Sequence, residues 1–211
     1  MPKIIKSAKG TFTTADITID SSGRVVTAAT GTAGGGVDVI KFFNDTGGAT
    51  GNYTANPGAN NASAFIRAGG GGGGGFGNPF NRPGAPGGDG GFGYFFAPVS
   101  GGTDYAYAVG TGGAGGTAFN DGQTGGASTV ANVGTANGGQ GGQRGQQNSP
   151  GAQGNKGTAP GAQVDFTSNA NGPGRLLYGD DKGRLGEANQ FPTTGQSGAP
   201  GFIILYDNSG S

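Results

Sequence analysis

Short stretches of alternating apolar and polar residues are scattered along the chain, each closed by a turn signal. The segment "ADITID" places Ile17 and Ile19 on one face of an extended strand, and "SSG" (Ser21 to Gly23) separates it from "RVVTAAT". Two such strands joined by a Ser/Gly turn predict a hairpin. With "KIIKSAKGTFTT" before it and the linker "GTAGGG" after it, this makes residues 1–36 a small N-terminal β module. A new strand pattern opens at "VDVIKFF" (Val37 to Phe43), followed by the turn-rich "NDTGGATG" and then "NYTANPGANNASAFIRA". Tyr105 and Tyr107 alternate on a further strand, and "FIILY" (Phe202 to Tyr206) supplies the last. The segment "RLLYGDDKGRLGEAN" allows at most one short helix plus turns. Gly179, Gly183 and Gly186 argue against a continuous helix over "RLLYGDDKGRLGEAN".

Between these strands a second pattern dominates. Glycine recurs at every third position in separate blocks: Gly69, Gly72, Gly75; Gly84, Gly87, Gly90, Gly93; Gly110, Gly113, Gly116; Gly139, Gly142, Gly145; Gly151, Gly154, Gly157; and Gly195, Gly198, Gly201. A repeat of three belongs neither to an α-helix nor to a strand, but to the left-handed polyproline-II type of helix, which has no internal hydrogen bonds. Buried helices of this kind need neighbours to satisfy each backbone N–H and C=O, and glycine on the facing edge lets those neighbours approach. A flexible linker is the competing reading of "GGGGGGG". A collagen triple helix is excluded, because it needs an unbroken repeat with abundant proline, and here the blocks are short and proline totals 11.

Composition supports the second pattern. The chain has 53 glycines in 211 residues, against a usual ~7%, so one large conventional side-chain core is excluded. Clusters such as "VDVIKFF", "FGYFF" and "FIILY" allow a small one. Lys and Arg total 12, as do Asp and Glu, so no strong field steers the chain to nucleic acid or to an anionic membrane. Cysteine and histidine are absent, which removes disulfides, thiolate metal sites and the common nucleophile and base arrangements. No segment approaches the ~20 apolar residues of a membrane span, and the leader "MPKIIKSAKG" has no apolar signal region. An extracellular role therefore implies release by lysis or by a route without a cleaved signal.

The ordered series "YTANPGANNASAFIRAGGGGGGG", "GGTDYAYAVGTGGAGG", "GQTGGASTVANVGTANGGQGG" and "GQSGAPGFIILYDN" closely resembles the glycine-rich domain of tail fibres and related virion proteins of tailed bacteriophages. The leader "MPKIIKSAKGTFTTADITIDSSGRVV" is similar to the first residues of virion proteins from marine phages, such as those of cyanobacteria. The resemblance covers roughly residues 50–208 plus the leader. It implies an all-β protein in which the N-terminal module (1–36) precedes a glycine-rich β-sandwich or jelly-roll-like domain (37–211) carrying packed polyglycine-II helices. It also implies a virion or extracellular location and a role in particle structure or host attachment. The chain departs from the family pattern at about residues 164–194, where relatives stay glycine-rich.

That departure, with its concentration of charge, marks the segment from Arg175 to Phe191 as the candidate partner-binding loop. Tyr178 supplies stacking area, Asp180, Asp181 and Arg184 supply directional hydrogen bonds, and Phe191 closes the segment. A host-surface glycan or protein is the expected partner, and sealing of a subunit interface is the alternative. Asp180 and Asp181 with Glu187 lack the alternating oxygen ligands of a calcium loop, so no metal site, cofactor or catalytic residue is expected. Phe95 and Phe96 are expected in a core or subunit interface. The strands "VDVIKFF" and "FIILY" look too apolar for so glycine-rich a chain to cover alone, which predicts a homo-oligomer, a trimer in the first instance. The expected function is that of a non-enzymatic fibre or adhesin attaching a particle to its host. A decoration protein of capsid or tail, or a self-assembling extracellular fibre subunit, is the alternative.

Overall fold

The computed structural model describes residues 15–19, 25–30, 37–43, 48–77, 82–146, 150–167 and 194–209. The chain divides into two compact units, Met1–Gly36 together with Ser211, and Val37–Gly210. In the first, β1 (Ala15–Ile19) pairs antiparallel with β2 (Val25–Thr30), as the alternation around Ile17 predicts. The register shifts between Thr18 and Ile19.

The second unit contains two antiparallel sheets. Five strands lie in the order β10-β6-β5-β11-β3 (Val164–Asp165, Phe92–Pro98, Ala59–Arg67, Phe202–Ser209 and Val37–Phe43). Four lie in the order β4-β7-β8-β9 (Thr50–Thr54, Asp104–Ala108, Ser128–Val130 and Gly134–Ala136). No helix occurs among the described residues.

The sheets share one core. Successive side chains of a strand point to opposite faces, so Ala62, Ala64 and Ile66 of β5, Phe95 and Ala97 of β6, and Ile203 and Leu205 of β11 all point inward. They meet Tyr53, Tyr105, Val130 and Ala136 of the smaller sheet. Large and small residues are matched across strands: Ala64 lies opposite Phe95 on one side and Leu205 on the other. The Phe95 ring occupies the space above Gly134 of β9, where a Cβ would lie 2.3 Å from ring carbons.

The far face of the five-stranded sheet is aromatic. Phe65 sits 5.1 Å from Tyr94, 6.4 Å from Phe92 and 6.3 Å from both Phe166 and Tyr206, ring centre to ring centre. Phe92 is 5.0 Å from Phe166 and 5.6 Å from Phe202, and the Arg67 guanidinium carbon lies 5.6 Å from the Phe92 ring centre.

β11 is buried on both faces, with Phe202, Ile203, Ile204 and Leu205 all at 1% exposure or less. Flanked by β5 and β3, this continuous apolar run is covered within one chain. Phe95 belongs to the core, but Phe96, one residue on and therefore on the opposite face, is 44% exposed.

Candidate functional site

The glycine blocks join the strands as a series of extended arms. The first (residues 68–77) continues β5, the second (84–91) leads into β6, the third (110–117) follows β7 and the fourth (120–127) leads into β8. The fifth (137–145) follows β9, the sixth (151–158) precedes β10, and the seventh (195–201) leads into β11. Odd-numbered arms up to the fifth run away from the sheets, and the others run back.

The first arm is the hub. Its N–H groups turn through three neighbours with a repeat of three residues. Ala68, Gly71 and Gly74 donate to Gly91, Gly88 and Ala85 of the second arm, at 2.8–2.9 Å. Gly69, Gly72 and Gly75 donate to Gly126, Gln123 and Asn120 of the fourth. Gly70 and Gly73 donate to Ala199 and Gln196 of the seventh. Its carbonyls accept from two more arms: Gly70, Gly73 and Phe76 from Gly113, Gly116 and Phe119, and Gly69, Gly72 and Gly75 from Gly139, Gly142 and Gly145. The run of seven glycines is therefore buried and bonded to five other arms, which excludes the flexible-linker reading.

Contact is backbone to backbone. A Cβ built on Gly72 would stand 2.1 Å from the Ala114 oxygen, and one on Gly71 would stand 2.0 Å from the Gln140 oxygen. Glycine is required at these positions by the closeness of the next arm, independently of φ. Ser128, fully buried where arms meet sheets, accepts the Gly110 N–H at 2.9 Å and donates to the Arg67 carbonyl at 2.7 Å.

The arms end together. Pairs at the far end include Gly75 with Asn120, Gly77 with Arg82, Phe119 with Phe76, and Gly195 with Gly116. Residues 78–81 and 147–149 lie outside the described residues, but the tip joining the third and fourth arms is described in full. Asn120 N–H donates to the Thr117 carbonyl at 3.0 Å, closing a four-residue turn, and Asn120 Nδ2 donates to Thr117 Oγ1 at 2.8 Å. Phe119, third in this turn, has φ of 69° and is 48% exposed. Its N–H donates to the Phe76 carbonyl at 2.8 Å, and its own carbonyl accepts from Arg144 Nη1 at 2.6 Å. Arg144 N–H in turn donates to Asp121 Oδ1 at 2.8 Å. Two other arms, the first and the fifth, thus hold this loop.

The residues singled out from the sequence, Tyr178, Asp180, Asp181, Arg184 and Phe191, lie outside the described residues. The tip around Phe119 was missed by sequence reasoning. The available signal was an isolated phenylalanine, between two glycine blocks, at a turn position that ordinarily takes glycine.

No family model matches the chain, and a search of curated proteins finds no match. Among the described residues no helix is long and apolar enough to cross a membrane, and no group of three or more acidic, histidine or cysteine side chains is placed to hold a metal ion.

Proposed function

We propose that the chain is a non-enzymatic virion structural protein of a tailed bacteriophage, a fibre or adhesin that attaches the particle to its host surface. One observation carries this reading: the glycine arms run from the sheets to a common far end, where a cross-braced framework presents a loop of non-glycine residues. Rigid frameworks with loops at one end divide stability from recognition.

In this reading the arms are polyglycine-II helices. The three-residue rotation of donors around the first arm supports it, since that helix has three residues per turn and rises ~3.1 Å per residue. A nine-residue arm would carry its tip roughly 28 Å from the sheet edge. The two sheets form the jelly-roll-like frame, residues 1–36 join the particle, and the loop from Arg175 to Phe191 contributes to partner recognition. The site of action is the virion surface, outside the cell.

Particles carrying the protein test this directly. Antibody against the chain should mark the outer ends of fibres by electron microscopy and slow adsorption to cells. Label on the head alone, with adsorption unchanged, would overturn the attachment reading.

Exposed Phe96 and Val164, at 44% and 46%, favour a second reading in which this edge packs on another virion subunit or on copies in a trimer. Light scattering at micromolar concentration tests the trimer, and a monomer there rules it out.

A further inference from the structure

The geometry points to Phe119 as an aromatic platform for a carbohydrate at the tip of the arms, with Asn120, Asp121 and Arg144 as the hydrogen-bonding groups around it. This inference rests on the attachment reading and names the chemical class that the attachment would recognise.

The first argument is conformational. Phe119 occupies the left-handed region, with φ of 69°, at the third position of a turn closed by the Asn120 to Thr117 hydrogen bond. That is the type II arrangement, whose third position favours glycine because a Cβ there is strained. The chain contains 53 glycines, yet the side chain here is a large aromatic one. Strain of this kind persists only where its surroundings over-determine it, and the bonds from Phe119 to Phe76 and from Arg144 to Phe119 do so.

The second argument is that the ring is not spent on packing. It is 48% exposed, whereas Phe92, Phe95 and Phe202 are each at 2% or less. A strained backbone carrying a half-exposed ring is explained by use of the ring outside the chain.

The third argument selects the partner. Among the described residues, Phe119 is the one large hydrophobic exposed at this end, since Phe96 and Val164 belong to the sheet. A stable protein partner buries roughly 800 Å² on each side over an apolar centre, which a single ring does not supply. One sugar ring needs less. Its C–H face stacks on the electron-rich aromatic face, while its hydroxyls pair with a few placed polar groups. Around Phe119 those groups are of both kinds. Arg144 uses Nη1 on the Phe119 carbonyl and retains further N–H donors, while Asp121 and Asn120 bring acceptor oxygens.

The test compares the full chain with Phe119→Gly and Phe119→Trp on an array of immobilised neutral and N-acetylated oligosaccharides, with the thermal midpoint of each variant measured alongside. The expected result is retention of the wild type and of Phe119→Trp on the same sugars, with Phe119→Gly about tenfold weaker or more. The Phe119→Gly midpoint should equal or exceed that of the wild type, because glycine relieves the left-handed strain. Undiminished binding by Phe119→Gly overturns the inference, as does a lowered midpoint, which would make the ring structural. Failure of every oligosaccharide to retain the wild type also overturns it. Adsorption of the same protein to bacterial cells, before and after periodate oxidation of their surface sugars, separates the two claims. Adsorption that survives oxidation refutes the carbohydrate and keeps attachment, whereas sugar binding on the array without adsorption to any cells refutes attachment and keeps the site.

Discussion

Tyr53 of β4 donates its hydroxyl to the carboxylate of Asp207 of β11, 154 residues further along the chain. The two strands belong to different sheets, so this hydrogen bond spans the core. Asn56 completes the arrangement, giving its backbone N–H to the same carboxylate oxygen and its Nδ2 to the other, both at 2.8 Å. Tyr53 is 1% exposed and Asp207 is fully buried. A buried carboxylate is tolerated only when donors replace its lost water, and three donors do so here.

Removing the hydroxyl leaves that carboxylate short of a donor. Tyr53→Phe is expected to reduce the unfolding free energy by about 1.5–3 kcal/mol, the usual range for a hydrogen bond to a charged group. Urea denaturation at neutral pH checks this, and a change within error would show that the ring alone holds the sheets.

The same pair sets an alkaline limit. Burial, then the hydrogen bond to Asp207 and the nearby negative charge, push Tyr53 well above the ordinary tyrosine range. Unfolded tyrosine ionises near pH ~10, so above that pH the unfolded chain loses a proton that the folded chain keeps. The contribution is complete below pH ~10 and is lost as pH rises, at about 1.4 kcal/mol per pH unit. Urea midpoints between pH 9 and 11.5 should fall more steeply for the wild type than for Tyr53→Phe, and parallel curves would contradict the assignment.

Gly72 and Gly87 test the packing of the arms. A Cβ on Gly72 would lie 2.1 Å from the Ala114 oxygen, and one on Gly87 would lie 2.2 Å from the Gly71 oxygen. Neither backbone can yield without breaking its own hydrogen bonds, so each Gly→Ala change should cost about 3 kcal/mol or more. Thr124→Ala, at an exposed position of the fourth arm, should stay within about 0.5 kcal/mol of wild type. Equal thermal midpoints for all three variants would refute the close approach.

Gly134→Ala probes the core between the sheets. Its Cβ would lie 2.3 Å from the Phe95 ring, which is itself buried, and the overpacking should cost about 1–3 kcal/mol. Phe95→Leu in the same chain should recover part of that loss. A double mutant whose loss equals the sum of the two single losses would mean that the ring and Gly134 do not compete for space.

Much of this architecture was legible from local pattern. Alternation marked β1 and β7, the hairpin turn marked β2, the continuous run of Phe202 to Leu205 marked a strand, and the three-residue spacing of Gly69, Gly72 and Gly75 marked a face with no room for side chains. These signals are readable because each depends on residues a few positions apart. The coverage of β11 was misjudged for the complementary reason: its neighbours β5 and β3 come from more than a hundred residues earlier, and apolar content alone does not say whether a strand is central or at an edge.

The chain's own residues thus determined the all-β class of the described residues, the positions of most of their strands, and an edge of glycines that excludes Cβ atoms. Only the tertiary structure decided which arm lies against which. A backbone without internal hydrogen bonds has its donors and acceptors directed outward, and nothing local selects Gly126, Gly91 or Ala199 as the partners of consecutive residues. The same holds for Phe119, whose sequence neighbours mark a turn and nothing more. Its exposure and left-handed backbone follow from Phe76 and Arg144, held in place by two other arms.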